Sequence, residues 1–163
     1  MTTLIARQLA LDLGRAPAPS LRNFFGDGNA EVVAALQSLL TALAHPAQAD
    51  QLAPGQRLVY LYGDAGSGRS HLLDAARLAT ANAELAAVAL GPQSPIAAFA
   101  ADPSVRLYTV DDVDALDPAQ QIALFSLCNE VRANPRAALL TAGGAAPLGL
   151  AVREDLRTRL GWG

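Results

Sequence analysis

The eight residues GDAGSGRS, Gly63 to Ser70, have the types and spacing of a phosphate-binding loop. Gly63, Gly68 and Ser70 fall on the pattern G-x-x-x-x-G-K-S/T, with Arg69 at the lysine position. Glycines let backbone N–H groups converge on phosphate oxygens without side-chain obstruction. Gly63, Asp64, Ala65, Gly66, Ser67 and Gly68 are therefore candidate backbone ligands. A helix opening near Arg69 would point its positive dipole end at the anion. Ser70 offers a hydroxyl to a magnesium ion, and the cation neutralises the outer phosphates. Arginine supplies that charge on a longer, planar, forked side chain, whereas lysine is a compact point charge. Phosphate binding is expected to survive the exchange and hydrolytic geometry to suffer, which describes a nucleotide holder more than a fast ATPase. The chain contains no lysine at all, so Arg69 also follows the composition. A ligand-free glycine turn would use the same residues; the strand before and the helix after favour the loop.

A second constellation lies at Asp111 and Asp112, which close the apolar run RLYTV. The carboxyl edge of a parallel sheet faces the ligand. Asp111 there could hold magnesium, directly or through water. Asp112 could orient or activate a water as the catalytic carboxylate. Asp114 and Asp117 read as a solvated acidic turn. Thr141 ends a further strand, where it could sense an outer phosphate or simply close the strand; Gly143 and Gly144 follow and bring no side chains. His71 adjoins the loop and is grouped with its cofactor-binding residues. It has no histidine or cysteine partner at ligand spacing, so a packing role on the helix is the simpler reading. No Ser–His–Asp arrangement can be argued.

The elements that would position these groups follow from periodicity. Residues 29–44 read as a helix capped by Asn29, with Val32, Val33, Leu36, Leu39, Leu40 and Leu43 at helical spacing and His45-Pro46 as its breaker. Strands are expected at 57–62, 85–90, 106–110 and 137–142, and helices at 71–83 and 118–133. The last helix is introduced by Asp117 as cap and Pro118 in its first turn. Residues 95–101 suit a short helix. Strands alternating with helices imply an α/β fold, a parallel sheet wrapped by helices in three layers. Residues 1–20 read as a tail ending in the breaker-rich APAPS, and 21–163 as the nucleotide-binding domain.

Composition narrows the classes. A chain of 163 residues, 52% hydrophobic and 17% charged, has enough apolar residues for one compact domain. A net charge of −3 argues against a basic surface for gripping DNA. The one cysteine, Cys128, rules out an internal disulfide and fits a reducing cytosol. The first residues resemble neither a signal peptide nor a membrane span, so a cytoplasmic protein is expected.

Several stretches together resemble one family. SLRNFFGDGNAEVVAAL, LVYLYGDAGSGRSHLLDAA, LYTVDDVDAL, LFSLCNEVRANPRAALLTAGG and REDLRTRLGWG are similar to the ATPase domain of the bacterial replication initiator DnaA. The arginine-bearing loop and the tail bring them closer to the regulatory-inactivator (Hda) branch of this DnaA-related AAA+ family. The resemblance implies an AAA+ core with bound ADP or ATP and magnesium, and weak or no ATPase of its own. It also implies that Arg159, just before the terminal L-G-W-G, is an arginine finger toward a nucleotide on a neighbouring subunit. Phe24 and Phe25 occupy the stretch that lies near the base in the family, although two aromatics there equally suit a core. Gln8, Leu9, Leu11 and Leu13 of QLALDL resemble a sliding-clamp peptide, whose alternating leucines would enter one apolar groove.

The implied partners are the DNA sliding clamp and the DnaA initiator, with neither sequence-specific DNA binding nor a membrane. The implied role is to promote hydrolysis by ATP-bound initiator and prevent re-initiation. A self-sufficient ATPase of the same family, acting as initiator or loader subunit, stands as the alternative. Two departures matter: Gly143 and Gly144 replace an acidic and a basic residue of the family's sensor stretch, and Gly163 comes before the family's fifth strand and helical lid. The strand at 57–62 would then be an unpaired edge that favours weakened nucleotide affinity and self-association.

Overall fold

The computed structural model describes residues 17–24 and 28–161. Four parallel strands form one sheet: β1 (Leu58–Tyr62), β2 (Ala86–Leu90), β3 (Val105–Val110) and β4 (Ala138–Gly143). Their order is β1-β4-β3-β2, so the strand before the glycine loop is an edge of the sheet among the described residues. Tyr60 pairs with Thr141 and Thr141 with Val110, which levels the carboxyl ends of these three strands.

The strands alternate because both faces are covered. Leu58 and Tyr60 of β1 and Leu139 of β4 face one cluster, while Leu61, Leu140 and Ala142 face the other. The second cluster lies under α1 (Ala30–Ala44) and α3 (Arg69–Asn82), which supply Leu36, Leu39, Leu72 and Leu73. The first lies under α4 (Pro118–Ala133) and α5 (Glu154–Leu160), through Leu124, Leu127, Leu156 and Leu160. This is the three-layer α/β arrangement expected from the alternation of elements.

Several boundaries differ from the sequence reading. Asn29 stands at the N-cap of α1, but its side chain makes no capping bond, because its backbone has left the extended geometry that a cap needs. His45 ends α1, yet Pro46–Ala49 at once forms a further turn, α2, since proline suits a first helical position. Arg57 belongs to a 3₁₀ turn, Pro54–Arg57, and is buried rather than paired in the sheet. It reaches over the end of α4 and donates to the carbonyls of Asn134 and Arg132. The sequence does not announce α5; its seven residues are held by Leu156 and Leu160 in the core rather than by a long periodic pattern.

Asp117 does cap α4. Its carboxylate accepts from the Gln120 amide at 2.8 Å, and Gln120 Oε1 accepts from the Asp117 amide at 3.0 Å. It is thus a helix cap, and it stays exposed. Among the described residues no helix is long and apolar enough to cross a membrane.

Candidate nucleotide-binding site

Parallel strands deliver their carboxyl ends to one edge, and the turns leaving that edge line whatever binds there. Here they are the glycine loop after β1, Asp111-Asp112 after β3, and Gly143-Gly144 at the end of β4. Within the loop, Gly66 and Gly68 have φ of +84° and +89°, where a side chain would be strained. Gly68 is also covered, since a Cβ there would stand 2.5 Å from Cε2 of Phe24. Around Gly66 nothing lies within 4 Å. Asp64, Ala65, Gly66 and Ser67 are exposed, and the Ser67 amide bonds back to the Asp64 carbonyl at 3.1 Å. Gly63 lies under the Ser67 hydroxyl. The first amides of α3 have no carbonyl of their own helix to bond, so they remain available to an anion in the loop.

Ser70 is exposed on the first turn of α3. Arg69 is half-buried, and its Nη1 is buried without a hydrogen-bond partner. That atom lies 3.8 Å from the point where a Cβ on Gly144 would stand. The cation is therefore turned inward, along the carboxyl edge toward β4.

The Asp111 amide continues the pairing with β2 by donating to the Leu90 carbonyl at 3.1 Å. Its carboxylate accepts from the Asp112 amide at 2.9 Å. Asp112 is exposed and left-handed, with φ +48°, which aspartate tolerates better than bulkier residues. The chain then enters a 3₁₀ turn, Val113–Ala115, that carries Asp114 back over β4. There the Asp114 carboxylate accepts from the Gly144 amide at 3.2 Å. Asp114 thus bridges the β3 and β4 turns while staying exposed, as a residue of a solvated acidic turn does.

Gly143 has no room for a side chain. A Cβ there would stand 2.4 Å from the Tyr60 hydroxyl, 3.0 Å from Val113 Cγ2 and 3.1 Å from Asp114 Oδ1. The Tyr60 hydroxyl donates to the Ala145 carbonyl at 2.6 Å. Burial pushes that hydroxyl up to about 12, with the Asp114 charge adding to the rise and Arg69 opposing it. The Tyr60 hydroxyl thus lies within reach of both charges. Thr141 is buried and its hydroxyl donates to the Val59 carbonyl at 3.2 Å, so it is engaged by the neighbouring strand.

Beside the loop, a cleft of about 360 Å³ opens between α1 and β1; Phe24, Asn29, Tyr62 and Arg69 are among its lining residues. The Phe24 ring meets the His71 ring at 5.9 Å, and His71 Nε2 donates to the Ser20 carbonyl at 3.1 Å. His71 thereby fastens the N-terminal segment to α3. Arg159 stands elsewhere, on the face covered by α4 and α5, with its guanidinium 5.3 Å from the centroid of the Phe125 ring. Phe25 and the peptide residues Gln8, Leu9, Leu11 and Leu13 lie outside the described residues.

The fit of these residues to a nucleotide rests on the open cradle at Gly66 and the unpartnered Arg69 Nη1. Among the described residues no three His, Cys, Asp or Glu side chains converge as a metal site of their own. Magnesium bound through one or two protein groups plus phosphate oxygens needs no such cage. Ser70, on the first turn of α3, and Asp111, after β3, both follow carboxyl ends of strands.

Sequence reasoning missed Tyr60 and Asp114. The register was the available signal for Tyr60, because it pairs with Thr141 at the end of the neighbouring strand. Nothing local marked Asp114, since its partner is thirty positions away along the chain.

No family model matches the chain. An uncharacterised protein of Haemophilus influenzae is 27% identical over 165 residues, covering 96% of this chain and 66% of that protein. The solution structure of protein NMB1076 from Neisseria meningitidis is 29% identical, with a TM-score of 0.53, covering 99% of this chain and 95% of that one. The replication initiator DnaA bound to AMPPCP and single-stranded DNA has a TM-score of 0.70 at 21% identity, over 87% of this chain and 47% of that one. The chain thus spans about two thirds of the curated relative and about half of the solved DnaA chain. Its fold is that of the part of the DnaA chain that it covers.

Proposed function

We propose that this chain is a nucleotide-holding module of the DnaA-related AAA+ family with a role in replication, and more narrowly a regulatory inactivator of the Hda kind. In this reading Gln8, Leu9, Leu11 and Leu13 dock on the sliding clamp, the loop holds ADP, and Arg159 acts on the nucleotide of ATP-bound DnaA. The observation that carries the nucleotide part is the open loop with an unpartnered, inward-turned Arg69 Nη1 beside it. The likeness to a DnaA structure bound to AMPPCP supports the same part.

Each residue then has a task. The amides of Gly66 and Gly68 and the first turn of α3 bind the inner phosphates. Arg69 adds charge, while Ser70 and Asp111 hold magnesium, which would neutralise phosphate charge when bound. The cleft beside Phe24 receives the base. Arg159 leaves the Phe125 ring and extends into the initiator's site, where a guanidinium stabilises charge on the transferring phosphoryl group.

The test is ATP hydrolysis by DnaA in the presence of DNA-loaded clamp and this chain. Stimulation is expected, and it should vanish both with Arg159→Ala and with Gln8→Ala/Leu9→Ala/Leu13→Ala. No stimulation by the unmodified chain would overturn the regulatory reading. The retained Ser70, Asp111 and Asp112 favour a second reading, a self-sufficient ATPase, which predicts turnover without DnaA.

A further inference from the structure

Residues 17–24 form a tight turn that lies against α3 and the glycine loop. The Ser20 amide donates to Asn23 Oδ1 at 2.9 Å, and the Asn23 amide donates to the Ser20 hydroxyl oxygen at 3.2 Å. Asn23 Nδ2 donates to the Ala18 carbonyl at 3.0 Å. His71 is the residue of α3 that holds this turn. Its Nε2 donates to the Ser20 carbonyl at 3.1 Å, and its ring meets the Phe24 ring at a centroid distance of 5.9 Å. Among the described residues no other side-chain hydrogen bond joins residues 17–24 to α3. Phe24 is the part of the turn that reaches the loop. A Cβ on Gly68 would stand 2.5 Å from its Cε2, so the ring packs directly on the last loop residue before α3. The same ring lines the cleft of about 360 Å³, together with Asn29, Val32 and Tyr62.

We propose that His71 is a positioning residue for the base of a bound nucleotide: it seats Phe24 as a wall of the cleft and leaves the phosphates to the loop amides and Arg69. The inference rests on the nucleotide reading of the loop. An aromatic wall gives a flat base apolar and stacking contact, whatever its hydrogen-bonding pattern. A wall already in place before binding adds affinity, because its ordering is not set against the contacts with the ligand. Pyrophosphate carries the phosphates without the base, so it separates the seat from the cradle.

The experiment is calorimetric titration with ADP and with pyrophosphate, both with magnesium, of the unmodified chain, His71→Ala, Phe24→Ala and the double variant. The ADP affinity of His71→Ala should fall about tenfold, the scale of one base–aromatic contact, while its pyrophosphate affinity changes by less than about twofold. Phe24→Ala should show the same split. The double variant should bind ADP no more weakly than Phe24→Ala alone, because His71 acts through that ring. His71→Gln keeps a donor for the Ser20 carbonyl and should recover about threefold of the loss. A second measurement needs no variant. Arg22 is exposed within the turn, so trypsin cleavage after it reports whether the turn is seated. ADP should slow that cleavage more than pyrophosphate does, since only ADP brings a base against the ring.

Unchanged ADP affinity in His71→Ala would overturn this inference alone. So would equal losses for ADP and pyrophosphate, which would make His71 part of the phosphate cradle. Additive losses in the double variant, or equal protection of Arg22 by the two ligands, would overturn it as well. Failure of the folded, unmodified chain to bind either ligand would overturn the loop reading and this inference together.

Discussion

The hydroxyl of Tyr60 fills the space into which any side chain at Gly143 would project, 2.4 Å from the position of its Cβ. The two residues lie on neighbouring strands at the carboxyl edge, and the same hydroxyl is fixed by its bond to the Ala145 carbonyl. A position where the resembled family carries a polar sensor side chain is here closed by a tyrosine. That is a packing reason for glycine.

Gly143→Ala should therefore destabilise the fold by about 1–3 kcal/mol through overpacking. The cost should shrink in a Tyr60→Phe background, where the obstructing oxygen is gone. Chemical denaturation of the four variants of that cycle checks it. Equal costs in both backgrounds would mean that Val113 or Asp114, not Tyr60, sets the limit.

Arg57 is buried with its guanidinium on the carbonyls at the end of α4. Burial lowers its pKa, but a cation at a helix carboxyl end is favoured by the dipole. Arg57→Met should cost about 2 kcal/mol, the scale of charged hydrogen bonds lost in a partly dry setting. Thermal unfolding would show it, and an unchanged midpoint would mean the stem alone matters there.

Alkali should weaken the fold from two buried groups. Burial raises the Cys128 thiol from 9.0 to about 12 and the Tyr60 hydroxyl from 10.0 to about 12. Both are acids held neutral in the native state, so the unfolded chain loses its protons first. Their contribution is complete below the unfolded values and falls as pH rises toward about 12, starting near 9.0 for Cys128. Cys128→Ala should move the onset up toward 10.0, where Tyr60 takes over. Stability measured against pH checks this; the native thiol should also resist alkylation at neutral pH.

Arg69→Ala should weaken ADP binding by at least about tenfold, while Arg69→Lys should retain more of it, since charge matters more than the fork for a phosphate at this site. Fluorescent-nucleotide titration distinguishes them. Equal binding by Arg69→Ala and the unmodified chain would remove Arg69 from the site.

Among the described residues β1 has β4 on one side and no strand on the other, and Tyr62 at its end is 60% exposed. Unpaired strand edges recruit other strands. Sedimentation velocity should show a mean mass that rises with concentration. A constant monomer mass over the accessible range would count against an exposed edge.

The order of elements was legible in the sequence because each rests on local physics. The short apolar runs of β1, β3 and β4 read as strands, and Asp117-Pro118 announced α4 to the residue. The glycine loop was legible for the same reason, since backbone freedom is written in residue type. What only the tertiary structure decided depends on pairs remote in sequence. Tyr60 excludes a side chain at Gly143, Asp114 ties itself to Gly144, and Arg57 serves the end of α4. α5 also belongs here, because seven residues carry too little periodicity to stand out until Leu156 and Leu160 meet the sheet. Local patterns determine where strands, helices and the glycine loop form. Which side chains close the edge beside that loop depends on pairs that meet only when β1, β3 and β4 lie side by side.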